Sequence, residues 1–108
     1  MDRFDIVVVP FPFTDRATTK RRPALVVSSE EFFAQSKHVI CAMITTAGQS
    51  AWESDIEIFE WESAGLPKAS KVRFKLFTLD GRFVLRHLGS LSGSDRQRIQ
   101  KSLSGILF

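Results

Sequence analysis

The stretch Val39-Ile40-Cys41-Ala42-Met43-Ile44-Thr45 decides the fold of this 108-residue chain. Every position before the closing threonine is apolar, and several of the side chains are β-branched. A strand that is apolar on both faces is covered on both sides, as the middle strand of a sheet is. The sequence therefore predicts that residues 39–45 form a central strand.

Strand patterns lie on both sides of this segment. Residues 6–9 are a β-branched run that we expect to stop at Pro10, and Pro23 is expected to open a strand over residues 24–28. Acidic and apolar residues alternate over positions 55–58, which predicts a strand with one wet, acidic face. Further strands are predicted over residues 71–80 and 83–91, with a turn at Asp80-Gly81 between them.

The chain is predicted to end in a helix, after a short helical turn at residues 29–33. Ser92 and Asp95 have capping-box spacing, and Ser94 with Gln97 is an equally good start. An apolar stripe follows at helical spacing, formed by Ile99, Leu103, Ile106 and Leu107. Strands followed by one terminal helix predict an α+β domain, in which the helix closes or caps a mostly antiparallel sheet.

Composition and charge indicate one globular domain spanning residues 1–108. Hydrophobic residues make up 44% and charged residues 25% of the chain, which excludes disorder over its whole length. No apolar run approaches the roughly 20 residues of a membrane span, and no signal peptide is visible, so we expect a cytoplasmic protein. Because Cys41 is the only cysteine, it cannot form an internal disulfide or a cysteine-built zinc site, and we interpret it as a small buried hydrophobe.

The densest basic cluster is Lys20-Arg21-Arg22-Pro23, where a polar loop meets a buried strand. An arginine at such a junction is anchored by the strand, while its forked donors face a phosphate. A solvated loop that ends at a proline is the alternative interpretation. Ile44-Thr45-Thr46 ends the central strand and offers hydroxyl groups to a phosphoryl oxygen, although threonine is also common in strands for its β propensity alone.

Lys71, Arg73 and Lys75 form what we call the basic ladder, on one face of a predicted strand. Their spacing of about 6–7 Å is close to the phosphate separation along a nucleic-acid strand. Like charges this close need a negative partner. That partner is either a nucleic-acid backbone or the predicted acidic face with Asp55 and Glu57, and the sequence leaves both open.

Two further groups are weaker candidates. Phe11-Pro12-Phe13 places aromatic side chains beside the basic loop, where they stack on bases or pack in the core. His38 and His87 lie far apart in the sequence, and an acid–base pair between them is the less favoured interpretation.

Taken in order, these segments resemble the MazF/PemK toxins of prokaryotic type II toxin–antitoxin modules, over nearly the whole chain. The matching segments are Asp5-Ile6-Val7-Val8-Val9-Pro10-Phe11, Arg21-Arg22-Pro23-Ala24-Leu25-Val26-Val27-Ser28, Ile44-Thr45, Gly65-Leu66-Pro67 and Thr78-Leu79-Asp80.

The resemblance implies a small SH3-like β-barrel with a C-terminal helix. It also implies a homodimer with an RNA groove across its interface, and an endoribonuclease that needs no metal or other cofactor and cleaves single-stranded RNA at short motifs. The family's catalytic arginine and threonine map onto Arg22 and Thr45. The predicted RNA-binding residues are Phe13, Arg16, Lys20, Arg21, Thr46, Lys71, Arg73 and Lys75.

These residue types suit RNA cleavage, because RNA carries its own nucleophile, the 2′-OH. Arg22 would stabilise the charged phosphorane and donate to the leaving 5′ oxygen, and Thr45 would hold a phosphoryl oxygen. The expected products are a 2′,3′-cyclic phosphate and a 5′-OH. Some family members carry a glutamate five residues before the arginine, where this chain has Ala17. The nearest loop acid is Asp15, and the general base stays unassigned.

The resemblance also implies a protein partner, an antitoxin whose disordered acidic tail fills the basic groove, with operator DNA bound only through the antitoxin complex. Two other functions remain open, because fold alone does not decide function. One is a gyrase poison like CcdB, whose terminal tryptophan is not matched here, since this chain ends at Phe108. The other is a barrel that binds nucleic acid without cleaving it, which Ala17 motivates.

Overall fold

The structure is a computed structural model, and it describes residues 1–11, 20–48 and 51–108. Within these residues the chain forms six strands, two α-helices and one 3₁₀ turn at Gly81–Phe83. In chain order the α-helices and strands are β1 (Asp5–Phe11), β2 (Lys20–Val26), α1 (Glu30–Ser36), β3 (His38–Thr46), β4 (Ile56–Ile58), β5 (Ser70–Asp80), β6 (Arg86–Ser90) and α2 (Gly93–Leu107).

The described strands form one antiparallel sheet in the order β4-β5-β3-β2-β1-β6. The sheet is curled into a half-barrel, and α2 is the C-terminal helix. The predicted α+β class is therefore confirmed. The apolar segment around Cys41 lies in β3, between β5 and β2, as its two apolar faces predict.

Each face of the sheet carries its own apolar cluster, because successive side chains of a strand point to opposite faces. The face that we call the α2 face is formed by residues such as Ile6, Leu25, Ile44 and Val72, and Ile99 and Leu103 of α2 pack against it. The opposite face, the α1 face, includes Val7, Val9, Val26, Val39 and Cys41, with Phe33 of α1 packed against it. Cys41 is fully buried, and burial raises the pKa of its thiol to about 12.

Of the two starts that the sequence predicts, the terminal helix uses Ser92, whose hydroxyl accepts a hydrogen bond from the Asp95 N–H at 3.3 Å. The carboxylate of Asp95 bonds elsewhere: it accepts from the N–H groups of Phe59 and Glu60 at 3.2 and 3.0 Å and pairs with Arg98. Burial raises the pKa of Asp95, but these donors outweigh burial and lower it. Asp95 therefore ties α2 to the loop that follows β4.

The predicted apolar stripe of α2 is only half correct. Ile99 and Leu103 are buried, whereas Ile106 and Leu107 are about half exposed on the last turn of the helix. No described helix is long and apolar enough to cross a membrane.

Pro10 does not end β1, contrary to the prediction. The pairing of β1 with β6 ends at Val8, whose carbonyl accepts a hydrogen bond from the Leu85 N–H at 2.8 Å. Pro10 has the same orientation as Val8 in the strand, so its nitrogen points to the side on which β6 has already ended. A proline at position 10 therefore removes no hydrogen bond between β1 and β6.

Pro23 likewise lies inside β2 rather than at its start. The last pair between β2 and β3 is Ala24 with Met43. The Val27 N–H donates to Ile40 of β3 at 2.8 Å, and by strand alternation the nitrogen of Pro23 also points toward the β3 side. At Pro23 the ladder has ended, so the missing N–H is not needed.

Other boundaries shift by a few residues. The predicted strand at 83–91 is shorter, because Gly81–Phe83 form the 3₁₀ turn, in which Asp80 accepts from the Arg82 N–H at 3.0 Å. The strand expected at 55–58 begins at Ile56, and α1 extends the predicted helical turn to Ser36.

Candidate active site

The central feature of the site is an opening between β2 and β3. These strands are paired only from Ala24–Met43 to Val26–Cys41, while β3 continues to Thr46 along β5. Extending the same register past the last pair brings Arg22 opposite Thr45 and Arg21 opposite Thr46. The two residues predicted to be catalytic are therefore brought together where the ladder opens.

Arg22 and Thr45 also belong to one face of the sheet. Arg22 pairs in register with Val9, which lies on the α1 face. Thr45 follows Ile44 of the α2 face, so its side chain points to the α1 face. Both residues are half-buried, which leaves their polar ends accessible while the strands fix their positions.

A cavity of about 210 Å³ occupies this opening. Its lining is Arg21, Arg22, Pro23, Ile44, Thr45, Thr46, Pro67, Lys68 and Ser70. A second cavity of about 330 Å³ shares Arg21, Arg22, Pro23 and Pro67 with it and extends to Arg86 and Leu88 of β6. Together the two cavities form a groove, which we call the arginine groove, with cationic side chains along its length.

The turn Gly65-Leu66-Pro67 forms one wall of the groove. Gly65 has φ +88°, and a Cβ there would lie 2.3 Å from the carbonyl oxygen of Leu88. A Cβ at Gly89 would lie 2.4 Å from the carbonyl oxygen of Ala64. The two backbones can meet this closely only because both positions are glycine. The sequence predicts the turn, but the contact with β6 was missed.

The basic ladder is not a uniform row of exposed cations. The side chains of Lys71 and Arg73 are only 7% and 10% exposed, and both pair with Asp55. A β-bulge lies between Arg73 and Leu76, and Lys75 within it is exposed. Of the two partners left open by the sequence, the structure shows Asp55, whereas RNA contact by the ladder stays a prediction.

Asp55 is the centre of this arrangement, which we call the Asp55 clamp. Its oxygens accept from Arg73 Nε at 3.1 Å and Arg73 Nη2 at 2.9 Å, and Lys71 Nζ lies 3.3 Å away. The hydrogen bond from Arg73, opposed by burial, lowers the pKa of Asp55 to about 2. The expected wet, acidic face is wrong at Asp55, whose side chain is 6% exposed, and correct at the exposed Glu57.

The histidines do not form a pair. His38 begins β3, and its Nδ1 lies 2.8 Å from the Ser36 carbonyl oxygen. His87 lies on β6, with Nε2 3.5 Å from Asp5. The strands β2 and β1 separate them, a distance of about 14 Å across the sheet.

The remaining candidates divide into two groups. Lys20 and Arg21 are exposed at the beginning of β2, and Thr46 ends β3 beside the cavity. Phe13 and Arg16, together with Asp15 and Ala17 of the general-base question, lie outside the described residues.

Solved structures share this fold at low sequence identity. An endoribonuclease in complex with its cognate antitoxin from Mycobacterial species matches with a TM-score of 0.76 and 16% identity, over 99% of this chain and 92% of that one. MazF from Deinococcus radiodurans matches with a TM-score of 0.76 and 17% identity, over 99% and 96%. The Mycobacterium tuberculosis toxin MazF-mt6 matches with a TM-score of 0.70 and 21% identity, over 94% of this chain and 93% of that one. The fold is thus that of MazF-type toxins.

The family follows from the sequence itself. Residues 2–107 match the model of the PemK-like, MazF-like toxins of type II toxin–antitoxin systems, and this chain belongs to that family. A search of curated proteins found no match.

Replacing Asp55 with asparagine is expected to destabilise the protein by about 3 kcal/mol at pH 7, because Lys71 and Arg73 lose the charge that offsets their burial. In the wild type, the stability that Asp55 contributes is complete above pH 4 and is lost as the pH falls through about 2, since the folded pKa is the lower one. Urea unfolding between pH 7 and pH 2 measures both effects.

The matched control is Glu57→Gln, which removes an exposed acid two residues away and should change stability by less than about 0.5 kcal/mol. Equal effects of the two substitutions, or an Asp55→Asn variant with the wild-type loss of stability in acid, would contradict the clamp.

Proposed function

We propose that this protein is a toxin that acts as a sequence-specific, metal-independent endoribonuclease on single-stranded RNA. It works in the cytoplasm as a homodimer. The observation that carries the proposal is the cavity at the opened ladder, which is lined by both Arg22 and Thr45. Membership of the MazF-like toxin family and the endoribonucleases among the proteins of the same fold support it.

The proposed reaction uses the 2′-OH of the RNA as the nucleophile. Its oxygen attacks the adjacent phosphorus, the bond from phosphorus to the 5′ oxygen breaks, and a 2′,3′-cyclic phosphate and a 5′-OH result. Thr45 donates a hydrogen bond to a phosphoryl oxygen and so holds the phosphate in line. The group that takes the 2′ proton is left unassigned.

Arg22 supplies the positive charge in this scheme. Negative charge builds up on the phosphoryl oxygens as the fifth bond forms, and a fixed guanidinium stabilises it with two parallel donors. Arg22 also donates a hydrogen bond to the leaving 5′ oxygen, which takes its proton from water and leaves as the 5′-OH. Because β2 holds Arg22 between β1 and the opening, little reorganisation is needed when the substrate binds.

The arginine groove is suited to a single strand. Cationic side chains of Arg21, Lys68 and Arg86 follow it from the opening toward β6. Phosphate contacts of this kind fix the register of a bound strand, and sequence preference then comes from contacts to the bases.

The proposed protein partner is an antitoxin with a disordered acidic tail that covers the groove. Structures of the same fold include MazE-MazF from Deinococcus radiodurans. Because such a tail would replace counterions at Lys20 and Arg21, raising the salt from 0.05 to 0.5 M is expected to weaken the complex by at least about tenfold. Calorimetric titration measures this, and an affinity unchanged by salt would contradict the acidic-tail model.

Arg22→Ala is expected to lower the single-turnover cleavage rate by at least about 100-fold, because it removes the charge that stabilises the phosphorane. The assay uses a long single-stranded RNA in EDTA and maps the fragment ends. Wild-type protein should cut at a recurring short motif and leave 2′,3′-cyclic phosphates.

The matched control is Arg82→Ala, which removes an arginine of similar charge whose side chain is 79% exposed, beyond the opposite end of β5. This variant should cleave like the wild type. A folded Arg22→Ala protein with full activity would overturn the proposed mechanism. A folded wild type that binds RNA without cutting it would favour the binding-only function.

A further inference from the structure

Trp52 is an exposed tryptophan whose ring lies on an arginine. It lies between β3 and β4, and 46% of its surface is exposed. The guanidinium carbon of Arg73 lies 5.1 Å from the centroid of its ring. An indole with one side on a cation and much of its surface open to water is an unusual use of a large apolar side chain.

The Asp55 clamp fixes the backbone that carries this ring and the arginine on which the ring lies. Asp55 Oδ2 accepts from the Trp52 N–H at 2.9 Å, and the Asp55 N–H donates to the Trp52 carbonyl at 3.1 Å. The same carboxylate holds Arg73 with two further hydrogen bonds. Ring, guanidinium and carboxylate are thus tied together before any ligand arrives, and binding to a preorganised group costs less ordering entropy.

The clamp lies on the face of the sheet that carries Arg22 and Thr45. Lys71 pairs in register with Thr45, and Arg73 is two positions further along the same face of β5. Two residues along a strand cover about 6.6 Å and the neighbouring strand is about 4.8 Å away. Asp55 directly precedes β4, on the far side of β5 from Thr45, and two strand spacings are about 10 Å. The Trp52 loop is therefore within one or two nucleotide steps of a phosphate held by Thr45.

We propose that Trp52 is a stacking platform for a base within two nucleotides of the cleaved phosphate, and that it contributes to the choice of the cleaved sequence. The inference rests on the proposed function and names a specificity-determining residue of the same site. Aromatic rings recognise single-stranded RNA by stacking on unpaired bases. The guanidinium of Arg73 covers one side of the ring, and the base takes the other side.

Phe59 makes a similar contact with an arginine outside the proposed site. It is 64% exposed, and the guanidinium carbon of Arg98 lies 4.1 Å from the centroid of its ring. Arg98 belongs to α2, however, and that contact lies away from Thr45. Phe59 is therefore the matched control for Trp52.

Fluorescence separates Trp52 from the other tryptophan, Trp61, which is half-buried against the core of the α2 face. The probe is a random-sequence single strand of 2′-O-methyl RNA, which lacks the nucleophile and cannot be cut. In Trp61→Phe protein, in which Trp52 is the fluorophore, the probe is expected to quench the emission. In Trp52→Phe protein, in which Trp61 is the fluorophore, the tryptophan emission should stay nearly constant. The anisotropy of a dye-labelled copy of the probe should show that this protein still binds it.

Cleavage kinetics give the second readout. Trp52→Ala is expected to raise KM for single-stranded RNA about tenfold with little change in kcat, and to broaden the set of cleaved sequences. Trp52→Phe keeps an aromatic face and should restore most of the affinity. Phe59→Ala should leave both KM and the cleaved sequences unchanged.

The outcomes distinguish the stacking role of Trp52 from the proposed ribonuclease activity. Quenching of Trp52 without any cleavage by the wild type would support the platform and overturn the proposed ribonuclease. Normal cleavage by Trp52→Ala with an unchanged KM and motif would overturn the platform and leave the ribonuclease intact. Absence of quenching, whether or not the probe binds, would also overturn the platform.

Discussion

The point at which β2 stops pairing with β3 is the constraint on which the rest of the site depends. Beyond the Ala24–Met43 pair, β2 remains paired with β1 and β3 remains paired with β5, while β2 and β3 are no longer paired with each other. Pro23 suits this position because its missing N–H falls on the unpaired side. Arg22 and Thr45 thus face each other across the gap with their backbones fixed, which is the preorganisation that charge-stabilising catalysis requires.

The carboxylate of Asp55 neutralises two buried cations on this face of the sheet. Lys71 and Arg73 would repel each other at their strand spacing, and Asp55 neutralises them at 3.3 and 2.9 Å while it also holds the loop that carries Trp52. Two of the three cations in the basic ladder, Lys71 and Arg73, are therefore buried and paired instead of exposed. The positive potential along the arginine groove then depends more on the exposed side chains at the beginning of β2. Asp55 therefore holds the buried cations and the proposed stacking residue Trp52 through the same contacts.

The sequence predicts which segments form strands and helices better than it predicts which strands pair and which side chains meet. The apolar run around Cys41 identifies the central strand, and Ser92 marks the start of α2, because both signals are local. A local pattern predicts that Pro10 ends one strand and that Pro23 begins the next. Whether a proline fits inside a strand depends on where the neighbouring strand stops, which a local pattern does not contain. Asp55 was expected in water for a similar reason: its partners Lys71 and Arg73 come from a strand paired at a distance in the sequence. The assignment of Arg22 and Thr45 came from the family resemblance, and the register of the sheet supplies the physical reason for their proximity.

A double-mutant cycle on Arg22 and Thr45 tests whether the two side chains act on one phosphate. The measured quantity is the single-turnover cleavage rate of one RNA by the wild type, Arg22→Ala, Thr45→Ala and the double variant, each shown to be folded. If the two side chains hold the same phosphate across the gap, the double variant should be little slower than Arg22→Ala alone, because residues that act as a unit are not additive. Losses that simply multiply would mean that the two residues act independently, and would contradict a shared site at the opened ladder.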